Sequence, residues 1–194
     1  MCRAAPFKQG FTNLVSSGGK GIIGSHTNEG GMSNLNDANA RSLAYGLRRS
    51  PFYVLKDEEI EMLKTDIEAI SADISVFKFN EGRRTSYSGK IDAVHVRGDV
   101  LPEGMSNHPR DLMSPRAVLA HEYYGHRPYR NAKKPLPTGS WNDEFRASYM
   151  AAKNAPGLSR DDRRYLVLDA LERAKSAGVS VTHNSFIRRV LHGF

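Results

Sequence analysis

The spacing of apolar residues predicts a helix in the first half of the chain. Within residues 57–71, apolar side chains recur at three- and four-residue intervals, at Ile60, Leu63, Ile67 and Ile70. This spacing places them on one face of an α-helix. Acidic residues fill the first turn, where the helix dipole favours negative charge. We therefore predict an amphipathic helix over residues 57–71.

Three short segments after this helix have the composition and the turn residues typical of β-strands. Residues 74–79 (ISVFKF) are a β-rich run, which is closed by the turn-forming residues 80–82 (NEG). Residues 85–87 and 91–97 flank the turn-forming residues 88–90 (SGK). Two β-rich segments separated by such a turn predict a hairpin.

Capping residues, prolines and glycines mark the helices of the second half. Ser114-Pro115 is a favourable start, because serine caps a helix well and proline is tolerated at the first helical position. Ser159 and Asp162 form a loose capping box at a later start. The predicted helices cover residues 115–124, 142–154, 159–178 and 185–191. Together with the short strands, they predict an α+β fold.

Residues 1–35 differ in composition from the rest of the chain. They are rich in glycine, serine and asparagine, as in SSGGKGIIGSHTNEGGMSN. Such a segment buries little apolar surface and predicts a flexible lead, although an ordered arm across the domain is the alternative. Residues 36–48 predict a short helix. The folded domain is expected to cover residues 36–194.

The cysteine content and the lengths of the apolar runs restrict the class of protein. Cys2 is the one cysteine, so no intrachain disulfide can form and a metal site must use His, Asp or Glu side chains. No apolar run approaches the ~18 residues of a membrane span. The first residues lack the apolar stretch of a secretory signal. We therefore expect a cytoplasmic protein without a membrane segment, whose oligomeric state the sequence does not indicate.

The chain is basic, with a formal net charge of +7. This charge is compatible with binding to nucleic acid, but equally with a basic, solvated surface. The basic residues are spread along the chain, and their densest clusters are not interleaved with aromatic residues for base stacking. The solvated surface is therefore the favoured interpretation. A basic nucleic-acid-binding or virion-associated module is kept as the second hypothesis.

The strongest chemical signal is the segment from His121 to His126, HEYYGH. In the zinc-binding pattern H-E-x-x-H, two imidazoles one helical turn apart hold the metal and the glutamate acts as a base. Here the histidines are five residues apart, and a regular helix would turn them about 140° out of line. A bulge of one residue would realign them, and such π-type bulges occur often at functional sites. We expect Gly125 to permit the bulge through its freedom of backbone dihedrals.

A carboxylate 18 residues after His126 strengthens the interpretation of this segment. Glu144 lies one turn into the next predicted helix, within the run DEFRA from Asp143 to Ala147. A first-turn acid is ordinary, because the helix dipole favours it. Small residues such as Ala147, however, let a second helix approach closely. The two segments together point to a metal site more strongly than either one alone.

The two segments resemble the motifs of a known class of zinc peptidases. HEYYGH resembles the H-E-x-x-G-H motif of the dipeptidyl peptidase III family, and DEFRA is similar to that family's second motif, E-E-x-x-A-[E/D]. The resemblance covers about thirty residues. It implies that His121, His126 and Glu144 bind Zn²⁺ and that Glu122 is the catalytic base. Ser148 departs from the motif, because it stands where the family has its final acid.

The short distance between the motifs is closer to compact peptidases of the gluzincin class than to that large, two-lobed family. The resemblance therefore implies a small zincin-like α+β domain that hydrolyses peptides or proteins. We expect a short, mainly antiparallel sheet packed on an active-site helix and a glutamate helix. Because such enzymes bind substrate beside an edge strand, residues 91–97 are expected to form that edge, with Ile91, Ala93 and His95 on one face. His95 itself is interpreted as a structural or rim residue.

Further catalytic residues are less sharply indicated. The oxyanion formed at the attacked carbonyl needs a donor besides the metal. The candidates are Tyr129, Tyr149 and His183. His183 is preferred, because gluzincins often use a His or Tyr outside the two ligand helices. Each of the three is also compatible with a packing or surface role. Ser148 and Asn142 are candidates to orient the imidazoles.

Overall fold

The computed structural model describes residues 48–104 and 106–193. Within them it contains five α-helices: α1 (Asp57–Ala69), α2 (Pro115–Ala120), α3 (Trp141–Asn154), α4 (Arg160–Ser176) and α5 (Ser185–His192). One sheet contains three strands: β1 (Phe77–Phe79), β2 (Ser86–Ser88) and β3 (Ala93–Val96). The α+β class is therefore confirmed, and none of these helices is long and apolar enough to cross a lipid bilayer. The lead expected over residues 1–35 and all but the last residue of the helix expected over 36–48 lie outside the described residues.

Helix α1 follows the predicted periodicity. Leu63, Ile67 and Ile70 are fully buried in the core. The helix ends at Ala69, two residues before the predicted end, and Ser71 adopts a left-handed φ of 52°. A non-glycine residue in this conformation cannot continue a right-handed helix. The apolar face is thus predicted well, and the end of the helix less well.

The sheet is mixed, with β3 in the middle of the order β1-β3-β2. Strand β2 pairs antiparallel with β3, and Tyr87 lies opposite Val94, which confirms the predicted hairpin. Strand β1 pairs parallel with β3, and Phe77 also lies opposite Val94. Two successive reversals of the chain give β3 the direction of β1, so the sheet is not mainly antiparallel as expected.

The segment predicted as the first strand is only half extended. Residues Ile74–Val76 form a 3₁₀ turn, and the strand begins at Phe77. The Asp73 carboxylate accepts a hydrogen bond from the backbone N of Ser75 at 3.0 Å. Aspartate side chains that bond a nearby backbone amide in this way favour turns over extended chain.

The position of β3 overturns the expected substrate edge. Residues 91–97 cannot form it, because both sides of β3 are occupied by β1 and β2. His95, on this middle strand, packs closely against the turn at Gly82. Strand β2 is an edge strand, and the backbone N of its Tyr87 donates a 2.7 Å hydrogen bond to the Glu122 carboxylate. The sheet edge next to the HEYYGH segment is therefore β2.

Two serines fix the starts of helices α2 and α4. Ser114 Oγ accepts a hydrogen bond from Ala117 N at 3.1 Å, which caps α2 as predicted. The same hydroxyl donates to Asp162 Oδ1 at 2.5 Å, so the starts of the two helices are tied together. Ser159 and Asp162 exchange two hydrogen bonds of 3.0 Å between side chain and backbone, which confirms the predicted capping box.

Helix α3 runs through the centre of the described domain. One apolar core extends along the chain from Leu55 to Ile187. Phe145 of α3, Leu119 of α2 and Leu166 of α4 are all fully buried within it. Helix α3 packs against α4 and against the segment that follows α2. This packing places the first turns of α3 beside the HEYYGH segment.

We expect Gly157→Ala to destabilise the protein more than Gly178→Ala does. Both glycines have positive φ, 63° and 72°, so both alanines would carry ~1–2 kcal/mol of backbone strain. A Cβ on Gly157 would also lie 1.8 Å from the backbone O of Ala69, whereas nothing lies within 4 Å at Gly178. This overlap adds an expected ~1–3 kcal/mol. Urea unfolding of the two variants measures the difference, and equal losses would contradict the packing of Gly157 against α1.

Candidate metal centre

The HEYYGH segment contains the bulge that its spacing requires. Helix α2 continues directly into a π-helical turn over His121–His126, which is followed by a 3₁₀ turn over Arg127–Tyr129. A π-turn contains about one more residue than an α-turn, so residues five apart come into line. The Nε2 atoms of His121 and His126 are accordingly 3.1 Å apart. The predicted realignment of the two imidazoles is present.

The role of Gly125 differs from the expected one. It is not among the residues with positive φ, so its dihedral freedom is not what the bulge uses. Instead it lies directly against α3, where an added Cβ would stand 2.5 Å from the O and 2.7 Å from the Cα of Ala147. Glycine is needed here because two backbones touch.

Glu144 completes a compact group of three side chains that could hold a metal ion. Its Oε2 lies 3.4 Å from His121 Nε2, and its Oε1 lies 3.8 Å from His126 Nε2. One ligand atom from each of the three residues lies within 4.8 Å of the others. Their side chains are 8%, 14% and 19% exposed for His121, His126 and Glu144 respectively, so the group opens only slightly to solvent. Solvent can therefore still reach these side chains.

Burial and neighbouring charges set the protonation of this group. Burial alone would raise the pKa of Glu144, but the neighbouring His121 and the charge of Arg173 hold it well below its ordinary value. Burial lowers the pKa of His126, which favours its neutral form. An ionised carboxylate beside a neutral imidazole is the state in which both bind a cation.

Glu122 lies beside this group and bridges it to the sheet. It is 9% exposed, and its Oε2 accepts the hydrogen bond from the backbone N of Tyr87. Burial raises the pKa of Glu122 to about 7, and the charge of Glu144 adds to this shift, whereas that of His126 opposes it. The glutamate of the motif is thus held between the π-turn and the edge strand β2.

Ser148 lies within hydrogen-bond distance of one of the imidazoles that it was predicted to orient, that of His121. Its Oγ is 2.9 Å from His121 Nδ1. Asn142 instead serves the start of α3, where its Oδ1 accepts a hydrogen bond from Asp143 N at 3.0 Å. Asp143 Oδ2 lies 3.7 Å from His126 Nδ1, so the acid before Glu144 is the one near the second imidazole.

Two residues of α4 belong to the same cluster and were not predicted. Asp169 Oδ2 accepts a 2.5 Å hydrogen bond from Ser148 Oγ, and Arg173 Nη1 lies 3.1 Å from Glu144 Oε2. Asp169 is fully buried. The signal in the sequence is an acid within the apolar run YLVLDAL, but only the tertiary structure shows its partner.

The proposed oxyanion donors are not brought into the cluster. Tyr149 is buried in the core, and its hydroxyl accepts a 2.9 Å hydrogen bond from Asn184 Nδ2. In a regular helix, a residue five positions after Glu144 points to another face. His183 is exposed just before α5, and the Tyr129 ring stacks on the Arg146 guanidinium at 4.2 Å. Tyr129, Tyr149 and His183 therefore form no hydrogen bond, ion pair or ring contact with His121, His126 or Glu144.

Comparison of the chain with models of known protein families, with curated proteins and with solved structures gives no match. The functional interpretation therefore rests on the two sequence motifs and on the geometry of the side chains. That geometry shows that His121, His126 and Glu144 lie close enough together to bind a metal ion.

We expect Gly125→Ala to weaken Zn²⁺ binding by about tenfold or more, the loss typical when the support of a ligand is disturbed. The added Cβ would displace the backbone at Ala147, and Glu144 lies one turn away on the same helix. Gly89→Ala is the matched control, because the nearest atom to its Cβ would be 3.8 Å away. Competition with a chromophoric chelator measures both affinities. Equal affinities would show that this backbone contact does not position Glu144.

Proposed function

We propose that the protein is a zinc-dependent peptidase. The observation that carries the proposal is the convergence of His121 Nε2, His126 Nε2 and the Glu144 carboxylate, which lie within 4.8 Å of one another. Two imidazoles and one carboxylate are the ligands of a common class of catalytic zinc site, in which the fourth position is left for water or substrate. Glu122 directly follows His121 in the sequence, and the charges of His126 and Glu144 influence its pKa.

Two separations between donor atoms lie near the value expected around a zinc ion. With zinc–ligand bonds of 2.0–2.1 Å and tetrahedral angles, two ligand atoms are expected about 3.3–3.4 Å apart. The two Nε2 atoms are 3.1 Å apart, and Glu144 Oε2 lies 3.4 Å from His121 Nε2. The nearest approach of Glu144 to His126 Nε2, 3.8 Å, is made by its other oxygen, Oε1. Imidazole and carboxylate donors without thiolates also suit zinc better than the harder calcium or magnesium ions. The donor set and its spacing therefore support Zn²⁺ as the metal.

Glu122 is the residue proposed to move the proton. Bound zinc would supply a Lewis acid that polarises the scissile carbonyl and makes a nearby water more acidic. The Glu122 carboxylate would accept a proton from that water and deliver it to the leaving amine. The hydrogen bond from Tyr87 N fixes Oε2 of Glu122, and none of the described residues donates to Oε1. One oxygen of the base is therefore held and the other is free for the proton.

A peptide or protein is the proposed substrate class. The support for it is the motif pair together with the edge strand β2, which lies directly beside Glu122. Extended peptides commonly bind by adding to such a strand edge. The hypothesis of a nucleic-acid-binding module has no support beyond the net charge, and the cytoplasmic location stays a prediction.

We expect the purified protein to hold about one zinc ion per chain and Glu144→Ala to lose it after mild chelation and dialysis. Removal of the one carboxylate ligand leaves only two imidazoles, which are too few for a closed site. The control is Glu61→Ala, which removes an exposed acid of α1. Elemental mass spectrometry gives the metal content. Retention of a full equivalent of zinc by Glu144→Ala would exclude the three-ligand site.

We expect Glu122→Gln to keep its zinc but to lose ~10²–10⁴-fold in the rate of peptide hydrolysis. Glutamine can still accept the hydrogen bond from Tyr87 N, but it cannot take up the proton. Glu68→Gln, at an exposed position of α1, is the control. Cleavage of a synthetic peptide library is followed by mass spectrometry. An unchanged rate in Glu122→Gln would remove Glu122 from the role of base.

A further inference from the structure

We propose that Asp169 and Arg173 of α4 are positioning residues of the metal centre, which act on His121 through Ser148 and on Glu144 directly. This inference rests on the proposed function, because it concerns the ligands of the same metal. The chain of contacts that carries it joins two of the three ligands into a closed ring of five side chains. The two sequence motifs do not include Asp169 and Arg173, which lie on the separate helix α4.

The first step is the direction of the hydrogen bonds at Ser148. A serine hydroxyl has one proton to donate. Burial alone would raise the pKa of Asp169, but the charges of Arg173 and Arg110 lower it below its ordinary value, so the carboxylate is ionised and can only accept. The 2.5 Å contact between Ser148 Oγ and Asp169 Oδ2 therefore uses the serine proton.

The second step fixes the tautomer of His121. Because the Ser148 proton is used by Asp169, its Oγ can only accept at the 2.9 Å contact with His121 Nδ1. The proton of a neutral His121 therefore lies on Nδ1, and the lone pair of Nε2 is free. Nε2 is the atom that faces His126 and Glu144. The buried carboxylate thus selects the tautomer that can bind a metal.

The third step is the support of Asp169 itself. A fully buried carboxylate is costly unless it is paired. Arg173 Nε donates to Asp169 Oδ2 at 2.7 Å, one turn further along α4. Asp169 Oδ1 has no hydrogen bond within the described residues and lies 3.7 Å from Arg110 Nε. Arg173 therefore supplies the main compensation for the buried charge.

The fourth step closes the ring at Glu144. The Nη1 atom of Arg173 lies 3.1 Å from Glu144 Oε2. That oxygen is the one 3.4 Å from His121 Nε2. One guanidinium thus holds both the carboxylate that orients His121 and the carboxylate that is itself a ligand. Ser148 stands where the resembled motif has an acid. Its hydroxyl links the Asp169 carboxylate to the His121 imidazole by two hydrogen bonds.

The test measures the His121 tautomer and the zinc affinity in the same set of full-length variants. In the metal-free protein labelled with ¹⁵N-histidine, long-range ¹H–¹⁵N spectra distinguish Nδ1–H from Nε2–H, and comparison with His121→Gln assigns the signals. We expect Nδ1–H in the wild type and a mixture of tautomers in Asp169→Asn and Ser148→Ala. We expect Asp169→Asn to bind zinc about 10–100-fold more weakly.

A matched control and a swap separate positioning from folding. Asp162→Asn changes another buried acid of α4, which caps the helix and does not contact the ligands, and it should keep zinc affinity within about twofold. The double variant Ser148→Asp/Asp169→Ser moves the carboxylate from α4 to α3 and should regain the Nδ1–H tautomer and most of the affinity that Asp169→Ser loses. Urea unfolding confirms that each variant is folded.

The outcomes distinguish this inference from the proposed function. Tight zinc binding that is equal in wild type and Asp169→Asn would overturn the inference and leave the metal site intact. An Nε2–H tautomer of His121 in the wild type would also overturn it. A wild type without zinc affinity would overturn the proposed function, and the tautomer would then still decide whether Asp169 acts on His121. If Asp169→Asn does not fold, the tautomer and zinc affinity of Ser148→Ala test the inference instead, because this variant also removes the hydrogen-bonded link between Asp169 and His121.

Discussion

The contact between the backbones of Gly125 and Ala147 is the constraint on which the grouping of His121, His126 and Glu144 depends. The π-turn brings His121 and His126 into line, but it does not supply the carboxylate. Glu144 lies three residues before Ala147, on the same face of α3. A helix that touches the π-turn at Ala147 therefore carries Glu144 onto the two imidazoles. A side chain at position 125 would separate them.

Much of this arrangement could be predicted from the sequence, because it depends on local periodicity. The apolar spacing of α1, the serine caps and the hairpin turn are determined by neighbouring residues, and the structure contains each of them. The five-residue spacing of His121 and His126 also has a local remedy, the π-turn. The role of Gly125 was predicted for the wrong reason, since backbone freedom is a local property and the contact with Ala147 is not.

The features that sequence could not predict depend on contacts between distant segments. The prediction that residues 91–97 form the substrate edge was wrong, because the order of strands is set by how the sheet assembles. The alternation of side chains along residues 91–97 is the same in a middle strand as in an edge strand. The sequence marks Asp169 only weakly, as an acid within an apolar run. Its hydrogen-bond partner Ser148 lies 21 residues away in the sequence, on another helix. Tyr149 was selected by residue type and His183 by the resemblance to gluzincins, and neither argument constrains the direction of the side chain.

The balance of buried charge gives an independent reason for a cation at this site. Asp143 pairs with Arg146 along α3, and Asp169 pairs with Arg173 along α4, so each pair cancels. Glu122 and Glu144 are the carboxylates beside the two imidazoles that have no such arginine of their own, and the charge of Glu144 helps to raise the pKa of Glu122. Arg173 contacts Glu144 as well, but its charge is already shared with Asp169. A divalent cation held by His121, His126 and Glu144 would offset the negative charge of these two carboxylates.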